Sequence, residues 1–311
     1  MKKFFAEILF VGIAVAAISY YFDGIKNPGF ANFISRIKPD YEIANFGTSH
    51  GYDFNYHVSP LRGINLNRGG NTLFYDLQNY YYMKENKLLA DNAIIVLPIS
   101  YFIFGLDENR SDRGLENAFV DDYYFYMNRD QIHEYSVKKE VALHSHNAQR
   151  NFKSKYKIPQ NFKRAPTKNK NVAQNKKRKI SQKEKLAKHA EDRTKRHFEL
   201  ARLMPPEKNF MYLEELILDA KESGFNPVLV TVPYYEAYNQ GFDLDWLKKQ
   251  YFERLNRFGN KLGVPYLDYS HDERFTKNEG LFKDSDHLNE AGKEMFSELV
   301  LEDINVRLSE N

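Results

Sequence analysis

The stretch Tyr41-Glu42-Ile43-Ala44-Asn45-Phe46-Gly47-Thr48-Ser49-His50 joins a short apolar run to a Gly-x-Ser turn. We predict a β-strand over Tyr41–Phe46, because the run is short, apolar and followed by a glycine. In open α/β sheets, ligands bind in the crevice beyond the carboxyl ends of the strands, so Ser49 is expected to face that crevice. Gly-x-Ser alone is a weak signal, and its simpler interpretation is a serine that caps a helix.

Apolar runs and helical patterns alternate along the rest of the chain, which is typical of an α/β fold with a parallel sheet and crossover helices. Four more strands are predicted, namely Gly63–Leu66, Ala93–Ile99, Val228–Val232 and Pro265–Leu267. The predicted helices are Thr72–Lys87, Asn209–Ser223, Leu244–Lys261 and Leu288–Leu308.

A second candidate stretch, Lys283-Asp284-Ser285-Asp286-His287-Leu288-Asn289, directly precedes the last predicted helix. A neutral histidine is the usual general base for a serine nucleophile, and a carboxylate fixes its tautomer. Asp284 and His287 are three residues apart, which lets the carboxylate reach Nδ1 while Nε2 faces Ser49. Asp286 adjoins His287 and is expected to point elsewhere. A helix cap at this turn is the simpler interpretation, and it is compatible with catalysis.

Three blocks of the sequence resemble those of the SGNH/GDSL hydrolase superfamily: Gly47-Thr48-Ser49, Gly69-Gly70-Asn71 and Asp284-x-x-His287. The resemblance implies a three-layer α/β/α fold around a parallel sheet of about five strands. It also implies a catalytic triad of Ser49, Asp284 and His287. It covers the chain from Tyr41 to Leu308, apart from a basic insertion.

The chain departs from the family pattern in two blocks. Thr48 stands where the family commonly has Asp, and Leu97-Pro98-Ile99-Ser100-Tyr101 has no asparagine where the family has Gly-x-Asn-Asp. Loss of one oxyanion donor costs on the order of 100-fold in rate or more, which favours a slow transferase or a re-formed oxyanion hole. The predicted oxyanion donors are Ser49, Gly69, Gly70, Asn71 and Ser100.

Other residues near the predicted strand ends have less specific roles. His50 is interpreted as a structural neighbour of Ser49 or as part of a pocket wall. Tyr234 and Tyr235 follow the fourth strand. They are interpreted either as packing residues of the protein or as rings that stack on a substrate sugar. We predict no metal site and no cofactor. The sequence has no cysteine, which excludes disulfides, cysteine nucleophiles and thiolate metal sites.

The first residues of the chain form an apolar run, Phe4–Phe22, broken by Glu7 and preceded by Lys2 and Lys3. A run of about 19 residues is long enough to cross a bilayer as a helix. We predict a retained membrane anchor over residues 1–23, with a cleaved signal peptide and a buried helix as alternatives.

Positive charge is concentrated in one part of the chain. The stretch from Arg150 to His197 contains 18 Lys and Arg against 3 Asp and Glu. The remainder of the chain is acidic, with 27 Lys and Arg against 39 Asp and Glu. We therefore predict a catalytic domain over residues 38–311 that carries a basic, polar insertion over residues 138–202. The insertion is either a solvated spacer or a surface that binds an anionic polymer or lipid. Binding of nucleic acid is not predicted, since few aromatic residues accompany the lysines.

An N-terminal membrane segment resembles a narrower group, the extracytoplasmic partners of membrane-bound O-acyltransferases in alginate O-acetylation and in the D-alanylation of teichoic acid. This resemblance implies serine-dependent transfer of an acyl group onto a cell-envelope polysaccharide or teichoic acid. It also implies a membrane-bound O-acyltransferase as partner and a catalytic domain outside the cytoplasm. An esterase that uses water as acceptor and a non-catalytic scaffold are the alternatives.

Overall fold

The computed structural model describes residues 2–106, 120–157, 181–203 and 205–309. Its helices are α1 (Lys2–Asp23), α2 (Gly29–Ile34), α3 (Leu73–Glu85), α4 (Val120–Tyr123), α5 (Val137–Lys155), α6 (Gln182–Leu200), α7 (Glu207–Glu222), α8 (Glu236–Gln240), α9 (Leu244–Leu247), α10 (Glu253–Leu262), α11 (Glu273–Thr276) and α12 (Glu290–Ser309). Its strands are β1 (Tyr41–Asn45), β2 (Gly63–Asn65), β3 (Leu89–Pro98), β4 (Asn226–Thr231), β5 (Tyr266–Asp268), β6 (Phe282–Asp284) and β7 (His287–Leu288).

The chain divides into two compact units, residues 1–37 with 117–178 and residues 38–116 with 179–311. This division differs from the predicted domains. Helix α5, which we had assigned to the insertion, packs in the first unit with the N-terminal segment. Helix α6 forms from the end of the same basic stretch, but it belongs to the second unit together with the sheet.

The sheet of the second unit has the order β2-β1-β3-β4-β5, and every adjacent pair is parallel. This confirms the predicted five-stranded parallel sheet, with strand limits that differ from the predicted ones by at most a few residues. Strands β3 and β4 are buried along most of their length, which explains their runs of apolar residues. Because all five strands point the same way, the chain segments that follow them gather at one edge.

Helices cover both faces of this sheet, in agreement with the three-layer arrangement. On one face, α3 lies beside α7, where the Tyr80 hydroxyl donates to Asp219 at 2.6 Å. On the other face, α12 packs through Phe296, whose ring lies 5.2 Å from Phe54 and 5.3 Å from Tyr269. The predicted helix over Leu244–Lys261 forms as α9 and α10, joined by one turn of π-helix at Lys248–Phe252.

Helix α6 begins at a capping box in which Ser181 accepts from the backbone N–H of Glu184. One face of the helix is apolar or weakly polar and is buried, through Leu186, Ala190 and Thr194. The spacing of these residues matches the helical repeat, so α6 packs against the rest of the second unit along a single stripe.

In the first unit, α5 holds the end of α1. Asn151 donates to the carbonyl oxygen of Phe22 at 2.9 Å, and Asn147 donates to that of Asp23 at 3.1 Å. The rings of Phe22 and Phe152 meet edge to face at 4.9 Å. These contacts satisfy the carbonyl groups that a helix end leaves without partners.

Helix α1 coincides with the predicted anchor over residues 1–23. Among the described helices, however, none combines the length and the apolar character needed to cross a membrane. The predicted transmembrane helix is therefore not supported.

Candidate active site

Ser49 lies just beyond the carboxyl end of β1, at the edge where the sequence placed it. The turn requires Gly47, whose φ of +126° lies in a region that L-residues rarely adopt. A Cβ atom at this position would also lie 3.1 Å from the carbonyl oxygen of Pro98. After the turn, Ser49 begins a short 3-10 helix over Ser49–Asp53, where the sequence had suggested an ordinary helix start.

His287 connects Ser49 to Asp284. Its Nε2 lies 2.9 Å from the hydroxyl of Ser49, and its Nδ1 lies 2.8 Å from Oδ1 of Asp284. The side chains of His287 and Asp284 are 14% and 25% exposed, so the group is reachable from solvent. This is the spacing and order of a serine, a general base and the carboxylate that orients the base.

This geometry allows acyl transfer in two steps. The Ser49 hydroxyl attacks an ester carbonyl carbon while Nε2 of His287 takes its proton and then delivers it to the leaving alcohol. An ester of Ser49 results. A water or alcohol hydroxyl then attacks that ester, His287 takes the second proton, and Ser49 leaves and regains its hydrogen.

Three acidic groups and two neighbouring histidines set the charge of this site. Burial by itself would lower the pKa of His287, but the hydrogen bond with Asp284 and the charges of Asp286 and Asp53 raise that pKa to about 9. Burial would raise the pKa of Asp284, yet its bond to His287 lowers that pKa below the usual value. The imidazolium is thus strongly stabilised, and the free base forms only in alkaline solution.

Asp286 lies closer to His287 than the sequence had suggested. One of its oxygens is 3.7 Å from Nδ1 of His287, against 2.8 Å for Asp284. Asp284 therefore keeps the orienting position. Asp286 makes its hydrogen bonds elsewhere, as expected, to His50 and Arg193, but its fully buried carboxylate also lies close behind the base.

The residues of the predicted oxyanion hole fall into two groups. Gly69 lies beside Ser49, since a Cβ atom built on it would be 3.8 Å from Cβ of Ser49. Gly70 has φ of +78° and forms the turn that follows β2. The backbone of Gly69 therefore lies beside the nucleophile, where an oxyanion would develop. It also forms a hydrogen bond with Tyr52.

The side chains of Asn71 and Ser100 are engaged elsewhere. The Asn71 amide donates to Asp76 at 2.6 Å. The Ser100 hydroxyl lies 2.8 Å from that of Thr48 and 2.7 Å from Nδ1 of His50. The Ser100 hydroxyl would have to leave a buried partner to stabilise an oxyanion.

Tyr234 and Tyr235 do not present open rings to a substrate. Tyr234 is fully buried, with its hydroxyl 3.2 Å from Nδ1 of His50, and its ring packs 4.8 Å from that of Tyr101. Tyr235 is 6% exposed, and its ring lies 5.6 Å from that of Phe282. Packing, which was one of the two interpretations of these tyrosines, is the role that the structure gives them.

Asp76 ties the nucleophile turn to helix α3. Its Oδ1 accepts from the backbone N–H of Gly47 at 2.9 Å and from Asn71. Burial raises the pKa of this carboxyl to about 7. No sequence pattern pointed to this role, since an acidic residue in the first turn of a helix is ordinarily favourable without any tertiary contact.

Helix α6 supplies groups that the sequence interpretation missed. Nε of Arg193 donates to both oxygens of Asp286, at 3.1 and 3.0 Å. His197 lies 4.0 Å from the same carboxylate and 2.7 Å from the Tyr238 hydroxyl. The only sequence signal of this arrangement was the four-residue spacing between Arg193 and His197, and such a spacing occurs in many solvated helices.

His50, His197 and Asp286 form a set whose potential ligand atoms lie within 4.8 Å of one another. Their donor atoms are already engaged, however. Arg193 binds both oxygens of Asp286, Ser100 binds Nδ1 of His50, and Tyr238 binds Nδ1 of His197. A guanidinium on the carboxylate is also unfavourable for a cation, so these residues fit an internal hydrogen-bond network better than a metal.

Comparisons with known proteins assign this chain to no family. No family model matches the sequence, and no curated protein matches it. One similar solved structure, from Bacteroides fragilis, is provisionally described as an acylhydrolase: it has 13% identity, covers 90% of this chain and 95% of its own, and gives a TM-score of 0.41. Another, from Streptococcus pneumoniae, carries the provisional name platelet activating factor, with 11% identity, coverage of 96% and 98%, and a TM-score of 0.39. Identities and TM-scores this low say nothing about the function of this chain.

Proposed function

We propose that this chain is a serine-dependent acyl-transfer enzyme that uses Ser49 as nucleophile, His287 as general base and Asp284 as the orienting carboxylate. The hydrogen-bonded arrangement of these three side chains supports the proposal, with bonds of 2.9 and 2.8 Å. The sequence separates Ser49 from His287 by 238 positions, so the contact is a property of the fold and not of a local turn.

The reaction we propose is transfer of a small acyl group from an ester donor to a hydroxyl of a cell-envelope polysaccharide or teichoic acid. Its support is the resemblance of the sequence blocks and the basic stretch Arg150–His197, which suits an anionic polymer. The membrane-bound acyltransferase partner and the location outside the cytoplasm stay predictions of that resemblance. Hydrolysis by water is the alternative for the same three side chains.

The test is turnover of p-nitrophenyl acetate by the full chain, with and without a soluble glycan acceptor. Release of nitrophenol should fall by at least about 1,000-fold in Ser49→Ala. Ser59→Ala, in the loop before β2, is the matched control and should keep the wild-type rate. Mass spectrometry of the glycan then separates the alternatives, since an acetylated glycan indicates transfer and free acetate alone indicates hydrolysis. Equal rates in Ser49→Ala and wild type would exclude the proposal.

A further inference from the structure

A continuous chain of buried side chains connects the two neighbours of Ser49 to the neighbour of His287. The Thr48 hydroxyl lies 2.8 Å from the Ser100 hydroxyl, which lies 2.7 Å from Nδ1 of His50. Nε2 of His50 lies 3.2 Å from Asp286. All four side chains are at most 1% exposed. Residues 48, 50 and 286 thus flank the nucleophile and the base while bonding to one another on the buried side.

The direction of these bonds follows from the charge states. Burial lowers the pKa of His50 to about 4, so its imidazole is neutral at pH 7. Burial would raise the pKa of Asp286, but the bond to His50 and the nearby histidines lower it well below the usual value, so Asp286 is ionised. A neutral imidazole can donate to that carboxylate only through Nε2–H. Nδ1 therefore accepts from the Ser100 hydroxyl, which in turn accepts from Thr48.

Arg193 completes the arrangement from helix α6. Its Nε–H donates to both oxygens of Asp286, and its side chain is 15% exposed against 0% for Asp286. A buried carboxylate without a cation would tend to take up a proton or to unfold the site. The ion pair keeps Asp286 charged at 3.7 Å from Nδ1 of His287.

We propose that Asp286, clamped between Arg193 and His50, is a positioning residue that fixes His287 relative to Ser49 and holds a second negative charge behind the base. The inference rests on the proposed function for its catalytic meaning, but its geometry is independent of any substrate. It gives α6, the helix that follows the most basic part of the chain, a place in the active site. It also makes Asp284 and Asp286 unequal partners: Asp284 bonds to the imidazole, and Asp286 acts on it through charge and through His50.

Several other charged or titratable groups act on His287, and the test has to separate them from Asp286. Asp284 bonds to Nδ1, and the charge of Asp53 raises the pKa of His287 in the same sense as Asp286. Positive charge acts in the opposite sense. The charged or titratable groups that face His287 or Asp286 are Asp284, Asp53, His50, His197, His189 and Arg193.

The experiment is an NMR titration of the imidazole of His287 in the full chain labelled with ¹³C-histidine, assigned by loss of its signal in His287→Ala. In Asp286→Asn the midpoint should move to lower pH by on the order of one pH unit, because a negative charge within a few ångströms has been removed. Lys195→Gln is the matched control: it removes an exposed positive charge from the same helix and should leave the midpoint unchanged.

Asp286→Asn leaves Arg193 without its partner and could fail to fold. The double variant Arg193→Gln/Asp286→Asn removes both buried charges, so no unpaired charge is left. Its midpoint should also move to lower pH, since Asp286 is the nearer charge to His287. An unchanged midpoint in a folded Asp286→Asn or double variant would overturn the inference.

Labelling of Ser49 by a fluorophosphonate, measured on the same samples, separates this inference from the proposed function. A shifted midpoint without labelling of wild type would support the positioning role of Asp286 and reject the nucleophile. Labelling of wild type with an unshifted midpoint in Asp286→Asn would support Ser49 as the nucleophile and reject the positioning role of Asp286. If both hold, the pH dependence of the labelling rate should move in Asp286→Asn in the same direction as the NMR midpoint.

Discussion

His50 and Asp286 bind each other at 3.2 Å, although they are 236 positions apart and each is the immediate neighbour of a proposed catalytic residue. The bond lies on the buried side of the site, opposite to the contact between Ser49 and His287. The nucleophile and the base are therefore held together twice, once by their own hydrogen bond and once through their neighbours. A movement of either loop would have to break both contacts. The two loops are therefore held rigidly, as proximity effects in catalysis require.

The pH dependence of the reaction should follow the charge of His287. Only the neutral imidazole accepts the proton of Ser49, and the pKa of this histidine is raised to about 9. We expect kcat/KM for p-nitrophenyl acetate to rise with pH and to reach half of its maximum near pH 9. The measurement is a rate profile from pH 6 to 10, corrected for spontaneous hydrolysis. A plateau that is already reached at pH 7 would contradict this charge state.

Asp284→Asn should be folded and nearly inactive. The amide retains the shape of the carboxylate, but it neither stabilises the imidazolium nor enforces the correct tautomer. We expect kcat to fall by roughly 100- to 10,000-fold, with little change in the unfolding midpoint in urea. Asp272→Asn, which changes a carboxylate that caps α11, is the control and should retain activity. Full activity in Asp284→Asn would show that another group orients His287.

Gly69→Ala tests the space beside the nucleophile. The added methyl group would lie at an ordinary contact distance of 3.8 Å from Cβ of Ser49, so it should fit without unfolding the chain. It would occupy space needed by the acyl group, and we expect a loss of activity of about tenfold or more. Gly70→Ala should behave differently, since its φ of +78° makes it strained and should lower the unfolding temperature. A fully active Gly69→Ala would place the acyl group elsewhere.

Two substitutions of Asp76 should separate its hydrogen bonds from its charge. Asp76→Ala leaves the N–H of Gly47 without its buried acceptor and should cost about 1–3 kcal/mol of unfolding free energy. Asp76→Asn keeps an acceptor oxygen.

The pKa of Asp76 is raised from 3.8 to about 7 by burial, so the stability that this group contributes is present below about pH 3.8 and is lost as the pH rises through 7. Relative to wild type, Asp76→Asn should therefore gain stability as the pH increases over this range. Urea unfolding at pH 4, 5.5 and 7.5 measures the difference, and a constant difference across these values would contradict the raised pKa.

The sequence predicted the sheet well because each strand carries its own signal. Tyr41–Asn45 and Asn226–Thr231 are short apolar runs between turn residues, and such runs remain recognisable without tertiary information. The contact of Ser49 with His287 was predicted from the Gly-x-Ser and Asp-x-x-His blocks. In the structure Ser49 follows β1 and His287 begins β7.

The groups behind the triad could not be predicted in the same way. Arg193 and His197 belong to a stretch rich in lysine that was interpreted as an insertion, either a solvated spacer or a surface for an anionic partner. Only the packing of α6 places them at Asp286. The direction of Asp286 depends on the backbone of one tight turn. The spacing of Asp284 and His287 predicted which carboxylate bonds to the imidazole. Adjacent side chains in a turn do not follow a regular period, so no sequence pattern predicts that Asp286 faces His50 and Arg193.

The most direct test of the account is covalent labelling of Ser49. The full chain is treated with a fluorophosphonate probe at pH 9, digested, and examined by mass spectrometry for the peptide that contains residue 49. We expect one adduct on Ser49 in wild type and in Ser59→Ala, a much slower reaction in His287→Ala, and no adduct on this peptide in Ser49→Ala. Labelling of wild type and His287→Ala at the same rate, or an adduct only on other serines, would contradict the assignment of Ser49 as a nucleophile activated by His287.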